Sequence, residues 1–125
     1  MLAPDHPLRL QGLTAFARVL LAQKKYADAE RTLREVVAIR EKTAPNDWRR
    51  YDAMSLLGSS VAGRRAFAEA ERLLVDGYQG MHERIATIPA FHRDSLADAG
   101  TRLVEFYTAW GKPAQAAEWQ RKVSH

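Results

Sequence analysis

The sequence predicts an all-α protein built as a short stack of helical hairpins, and three observations carry that reading. Apolar residues recur at helical spacing in segment after segment, as Leu13, Phe16, Ala17 and Leu20 do at i, i+3, i+4 and i+7. No run of five residues alternates apolar and polar side chains as a half-buried strand does. Most telling, three strings repeat one pattern: LLAQKKYADAERTL from Leu20, VAGRRAFAEAERLL from Val61 and YTAWGKPAQAAEWQ from Tyr107. Ala29, Ala70 and Ala116 take the same place in them, 41 and 46 residues apart. A lone hairpin cannot bury its apolar face, and stacked neighbours can.

Taken in order, the stripes and breaks give six helices. The first pair covers roughly 8–23 and 27–42, the second 48–62 and 67–87, the third 95–110 and 113–123. Ala29, Leu33, Val36 and Val37 stripe the second helix. Met54, Leu57, Gly58 and Val61 stripe the third, and Ala70, Leu73, Leu74, Gly77, Tyr78 and Met81 the fourth. Leu103, Val104 and Tyr107, then Ala116 and Val123, stripe the last two. Tight turns fall at Lys24-Lys25, Gly63-Arg64-Arg65 and Gly111-Lys112-Pro113. Longer connectors, Thr43 to Asp47 and Ile88 to Asp94, hold Pro45 and Pro89.

Composition narrows the function classes. A chain of 125 residues with 46% hydrophobic and 27% charged residues is one domain or a short repeat array. It has no cysteine, which excludes disulfides, thiol catalysis and thiolate metal sites. No run approaches the ~18 apolar residues of a membrane span. Pro4, Asp5, His6 and Pro7 stand where an export signal needs apolar residues, so a cytoplasmic location is the expectation. The net charge of +4 raises nucleic acid as a partner. The arginines are scattered, however, and cluster only as the pairs Arg49-Arg50 and Arg64-Arg65. A nucleic-acid-binding helical repeat is therefore the lesser alternative.

The repeated residues resemble the tetratricopeptide repeat. In the middle unit Leu57-Gly58, Val61, Phe67, Ala70 and Leu74 match its signature in order. Phe16-Ala17, Leu20, Tyr26, Ala29 and Leu33 do so in the first. Leu103-Val104, Tyr107, Gly111, Pro113 and Ala116 do so in the third, with Val104 replacing the glycine. KYADAERTLREVVAIREKTAPND and the opening APDHP are similar to the kinesin-light-chain type of the repeat. The resemblance implies a right-handed superhelix with repeats at about 8–42, 48–88 and 94–123 in a single domain over 8–125. Residues 1–7 would be the connector of a further upstream repeat. The later part of the chain also resembles the C-terminal repeats of large bacterial proteins that often carry a eukaryotic-like serine/threonine kinase domain. That likeness implies a regulatory or substrate-docking appendage as an alternative function.

Several strings imitate enzyme signatures without their chemistry. Gly58 to Gly63 has the glycine spacing of a phosphate loop, but Arg64 and Arg65 follow where Lys and Ser/Thr are required. Val36 to Arg40 imitates the kinase lysine strand with an arginine at its end. His92-Arg93-Asp94 imitates the catalytic loop, yet Ala99 stands where asparagine is needed. His6, His82, His92 and His125 show no ligand spacing among themselves. Asp28 with Glu30, and Glu69 with Glu71, lie two apart on helices, so neither pair shares a face. The expectation is a non-enzymatic scaffold with no catalytic residue, cofactor or metal, and no membrane partner.

Recognition then falls to the concave surface. The resemblance places ligand-facing positions at Gln11, Thr14, Arg18 and Leu21, at Asp52, Ser55, Ser59 and Ala62, and at Asp98, Thr101, Glu105 and Thr108. None is lysine or asparagine, which argues against the chaperone-binding carboxylate clamp of the family. Asp52, Asp98 and Glu105 against Arg18 predict a protein or peptide partner with basic residues, and repulsion of phosphate. Trp48, Tyr51, Trp110 and Trp119 form a second candidate binding surface, although they read more readily as covers for the exposed end of the stack. At the N-terminal end, Leu8, Leu10 and Leu21 are expected to be exposed and to support weak self-association.

Overall fold

The computed structural model describes residues 2–124; Met1 and His125, with the readings placed on them, lie outside the described residues. Six α-helices follow one another: α1 (Pro7–Ala22), α2 (Tyr26–Thr43), α3 (Trp48–Gly63), α4 (Phe67–Glu83), α5 (Asp94–Ala109) and α6 (Pro113–Val123). No strand occurs among the described residues. The helices pair as α1/α2, α3/α4 and α5/α6, and each pair packs on the next. None is long and apolar enough to cross a membrane.

The three hairpin turns are one device used three times. Lys24, Arg65 and Gly111 adopt left-handed backbone with φ of 60°, 64° and 77°. The following amides reach back to Leu20 O (2.8 Å), Val61 O (3.4 Å) and Tyr107 O (2.9 Å). Those six-residue closures satisfy carbonyls that a helix end leaves free. The connectors repeat as well. Arg9 donates to Pro4 O at 2.7 Å, Arg50 to Pro45 O at 2.9 Å and Arg93 to Ile88 O at 3.2 Å, each reaching back five residues. His6 caps α1 by accepting from Leu8 N, and Asp47 caps α3 by accepting from Arg49 N.

One helix is shorter than its sequence pattern. The expected end of α4 at residue 87 moves to Glu83, and Ile85–Thr87 forms a single 3-10 turn. Pro89 supplies the reason, because a residue before proline is pushed out of the helical region. Ile88 is accordingly extended (φ −80°, ψ 118°) and turns inward, 2% exposed, to join Trp48, Met81 and Ala99.

Small residues set the helix crossings. Ala29 and Ala70 are fully buried, and Ala116 nearly so. At Gly77 a Cβ would stand 2.8 Å from Ser55 N and 2.9 Å from Tyr51 O, so α3 and α4 touch backbone to backbone there. The aromatics do not cover the end of the stack as expected. Trp110 stacks on Phe67 at 5.2 Å and Trp119 meets Tyr78 edge-on at 5.2 Å, joining the third hairpin to the second. Trp48 is buried with Met81 and Ile88, and Tyr51 fills the space opened by Gly80. They sit between hairpins because that is where large gaps open beside small residues.

The open end differs from expectation too. Phe16, read as part of the buried stripe, is 54% exposed, and Val19 beside it is 52% exposed. Leu8 is exposed as predicted, but Leu10 is buried and Leu21 half-buried. The corresponding positions Leu57 and Ser60 of α3 are buried, because α3 has α2 to pack against. The described residues place no helix on that side of α1.

Candidate functional site: the inner groove

The first helices of the three hairpins stand side by side and line two successive cavities. The first, about 200 Å³, lies among their N-terminal halves and takes Gln11, Thr14 and Arg18 from α1 and Trp48, Arg49 and Asp52 from α3. Arg40 of α2, His92 of the connector and Ser95 of α5 complete it. The second, about 390 Å³, lies toward their C-terminal ends. Leu21, Tyr26, Ala62 and Phe106 give it apolar walls, with Ser59, Arg102 and Glu105 as its polar groups.

The floor of the groove is tied across by two arginines. Arg18 Nη2 lies 2.7 Å from Asp52 Oδ2, linking α1 to α3. Arg102 donates to Ser55 Oγ at 3.1 Å, linking α5 to α3. Asp52, Ser55 and Ser59 share one face of α3 through their i, i+3, i+7 spacing. Asp52 is 5% exposed, and burial pushes its carboxyl above the ordinary range despite the pull of Arg18 and Arg102. Burial pushes the Arg102 guanidinium down, against the opposing pull of Asp52.

Of the twelve groove residues read from the sequence, Gln11, Thr14, Arg18 and Asp52 meet in the first cavity. Ser59 and Glu105 reach the second, together with Leu21 and Ala62. Ser55 lies beneath the floor, fully buried. Asp98, Thr101 and Thr108 stand exposed along α5, and both threonine hydroxyls return to carbonyls of their own helix, Ala97 O and Val104 O. Asp98 and Glu105 have no ion pair among the described residues.

The charge expected of this groove is corrected at its first cavity. There Arg18, Arg40 and Arg49 face the single carboxylate of Asp52, so the surplus is basic rather than acidic. Sequence reasoning missed Arg40 and Arg102 and left Arg49 outside the groove, because it looked only at assumed inward positions of first helices. Arg40 carried a signal: it extends the α2 stripe of Leu33, Val36 and Val37 at i+7, where an apolar residue belongs.

The other candidate chemistries resolve into structure. Gly58 sits inside α3, where a Cβ would come within 2.6 Å of Leu74 Cγ, and Val36 to Arg40 lies inside α2. Glu30 is held by Arg34 and Arg64, whose hydrogen bonds keep its carboxyl below the ordinary range, and Glu69 shares both arginines. Asp28 pairs with Arg31, and Glu71 accepts from the Tyr107 hydroxyl at 2.8 Å. No group of three potential metal ligands occurs among the described residues. The arginine pairs are engaged locally, Arg49 with Asp47 at 3.5 Å, Arg50 with Glu41 at 3.8 Å, Arg64 with Glu30 at 2.8 Å and Arg65 over the Phe67 ring.

Hairpins with these turns, crossings and inner face define a helical repeat fold of the tetratricopeptide type. Solved structures place it further. A Podosopora anserina kinesin light chain-like protein with nearly identical TPR-like repeats matches with a TM-score of 0.68 at 26% identity. A glutamine-to-methionine variant of that protein matches with a TM-score of 0.70, also at 26% identity. In both, the match covers 98% of this chain and 57% of that one, so this chain spans little more than half their length. No family model and no curated protein matches the chain.

Proposed function

We propose that this chain is a protein-binding scaffold that holds a segment of a partner along the groove of α1, α3 and α5. One observation carries the reading: two consecutive cavities run along the inner helices, with an apolar slot at one end and, beside it, charges that have no ion pair among the described residues. Stacked hairpins characteristically recognise ligands on such a surface. The second cavity suits a leucine or aromatic side chain against Leu21, Tyr26 and Phe106. Asp98 and Glu105, exposed and without ion pairs among the described residues, suit lysine or arginine further along the same segment. The nucleic-acid alternative is less favoured, since Arg50 and Arg64 pair with carboxylates and Arg65 lies over the Phe67 ring, which leaves no extended basic stripe among the described residues.

A displayed library of random peptides tests the reading. Selected peptides should bind the wild type and lose at least about tenfold in affinity on Asp98→Ala/Glu105→Ala, the scale of a lost charge-assisted contact. Arg31→Ala and Arg121→Ala, on outer helices, should leave binding unchanged. Peptides that respond to the outer variants and ignore the inner ones would overturn it.

A further inference from the structure

The first cavity, which rests on the groove reading, asks for something more specific than an extended segment. Three arginines from three helices line it, Arg18 of α1, Arg40 of α2 and Arg49 of α3. Two of them are answered: Arg18 by Asp52 at 2.7 Å, and Arg49 by Asp47 at 3.5 Å. Arg40 is not. It is 6% exposed, forms no ion pair among the described residues, and its buried Nε has no hydrogen-bond partner. A buried guanidinium without a direct ion pair is disfavoured, and burial, aided by Arg49, pushes its proton affinity down against the more distant pull of Asp47 and Asp52. The one carboxylate of the cavity is incomplete in the same way, for Asp52 Oδ1 is buried without a hydrogen-bond partner among the described residues.

We propose that this cavity binds a phosphoryl group carried by a side chain of the partner segment, seated among Arg18, Arg40 and Arg49. The choice over a carboxylate follows from number and shape. Three guanidiniums arriving from three helices match three terminal phosphoryl oxygens, whereas a carboxylate offers two oxygens in one plane. A phosphorylated side chain carries a charge of about −1.5 to −2 at neutral pH, enough to answer Arg40 and to compete for Arg18 and Arg49, whose own partners are Asp52 and Asp47. Trp48 and His92, with ring centroids 5.5 Å apart, form an adjoining wall against which the carbon stem can lie.

The full-length chain is titrated with O-phospho-L-serine and with glutamate at matched ionic strength. The readouts are the Arg40 Nε–H resonance and Trp48 fluorescence. Phosphoserine should saturate below about 10 mM and bind at least about tenfold tighter than glutamate. Arg49→Ala and Arg40→Gln should each weaken it about tenfold or more, the scale of a lost charge-assisted contact. Arg49→Ala is the primary variant, since Arg49 is only half-buried, and its helical circular dichroism should match the wild type. Equal response to glutamate, indifference to Arg49→Ala, or no saturation would overturn the proposal. So would a single-stranded oligonucleotide that displaces phosphoserine through the same arginines, which would favour nucleic acid instead. If phosphoserine fails while library peptides still depend on Asp98 and Glu105, the phosphoryl site falls and the groove stands; if both fail, both fall.

Discussion

Arg18 and Asp52 join α1 to α3 at 2.7 Å across the floor of the groove, and the pair is lopsided: the carboxylate is buried while the guanidinium is 39% exposed. Arg18→Ala leaves Asp52 buried with a weaker counter-charge and should cost about 1–3 kcal/mol at pH 7, below the full price of breaking a deeply buried pair because Arg18 reaches solvent. The folded chain holds the Asp52 proton more tightly than an unfolded chain with its ordinary value of 3.8. Stability therefore rises through this group as pH falls into its raised titration range. The Arg18→Ala deficit should shrink over the same range in urea unfolding. Glu30 runs the other way, since its lowered value gives stability above 4.5 that acidification removes.

Gly77 and Gly12 make a matched pair of opposite sign. Alanine at 77 would drive a methyl into Ser55 N and Tyr51 O, so Gly77→Ala should destabilise by about 1–3 kcal/mol despite its better helix propensity. Gly12 meets nothing within 4 Å, and Gly12→Ala should stabilise by up to about 1 kcal/mol. Ala29→Leu and Ala70→Leu should behave like Gly77→Ala, because both sites are fully buried at crossings. Chemical denaturation separates the two classes.

Lys24 and Arg65 occupy the left-handed turn position that the third hairpin gives to Gly111. Left-handed backbone costs an L-residue roughly 1–2 kcal/mol, partly offset by the chain entropy that glycine loses on folding. Lys24→Gly and Arg65→Gly should each raise the unfolding midpoint slightly, and Gly111→Ala should lower it. Midpoints moving the opposite way would show that these turns are set by other forces.

The exposed stripe of Leu8, Phe16 and Val19 is expected to cause weak self-association at high concentration. Sedimentation should show it in the wild type and lose it in Phe16→Glu/Val19→Ser. A wild type that stays monomeric at high concentration would remove the expectation.

Helix number, hairpin pairing and the small crossing residues were readable because they repeat: Ala29, Ala70 and Ala116, or the three turns, announce one another. Phe16 misled because its local stripe is that of any core helix, while its burial depends on a neighbour the periodicity cannot supply. The end of α4 was hidden by continuing apolar residues, and only Pro89 marked it. The groove was half legible. Its serines and carboxylates fall at repeat positions, but Arg40 enters from a second helix and Arg102 from a position the repeat assigns to packing. Charge balance in a cavity depends on every element that reaches it, which a single-helix pattern does not contain.

Backbone amide shift mapping of a library-selected peptide on the isotopically labelled chain tests the central claim most directly. The account predicts shifts at Ser59, Ala62, Thr101, Glu105 and Thr108, with Arg31, Arg72, Asp76 and Gln120 on the outer helices unmoved. Shifts gathered on α2, α4 and α6, or on Leu8, Phe16 and Val19, would contradict it.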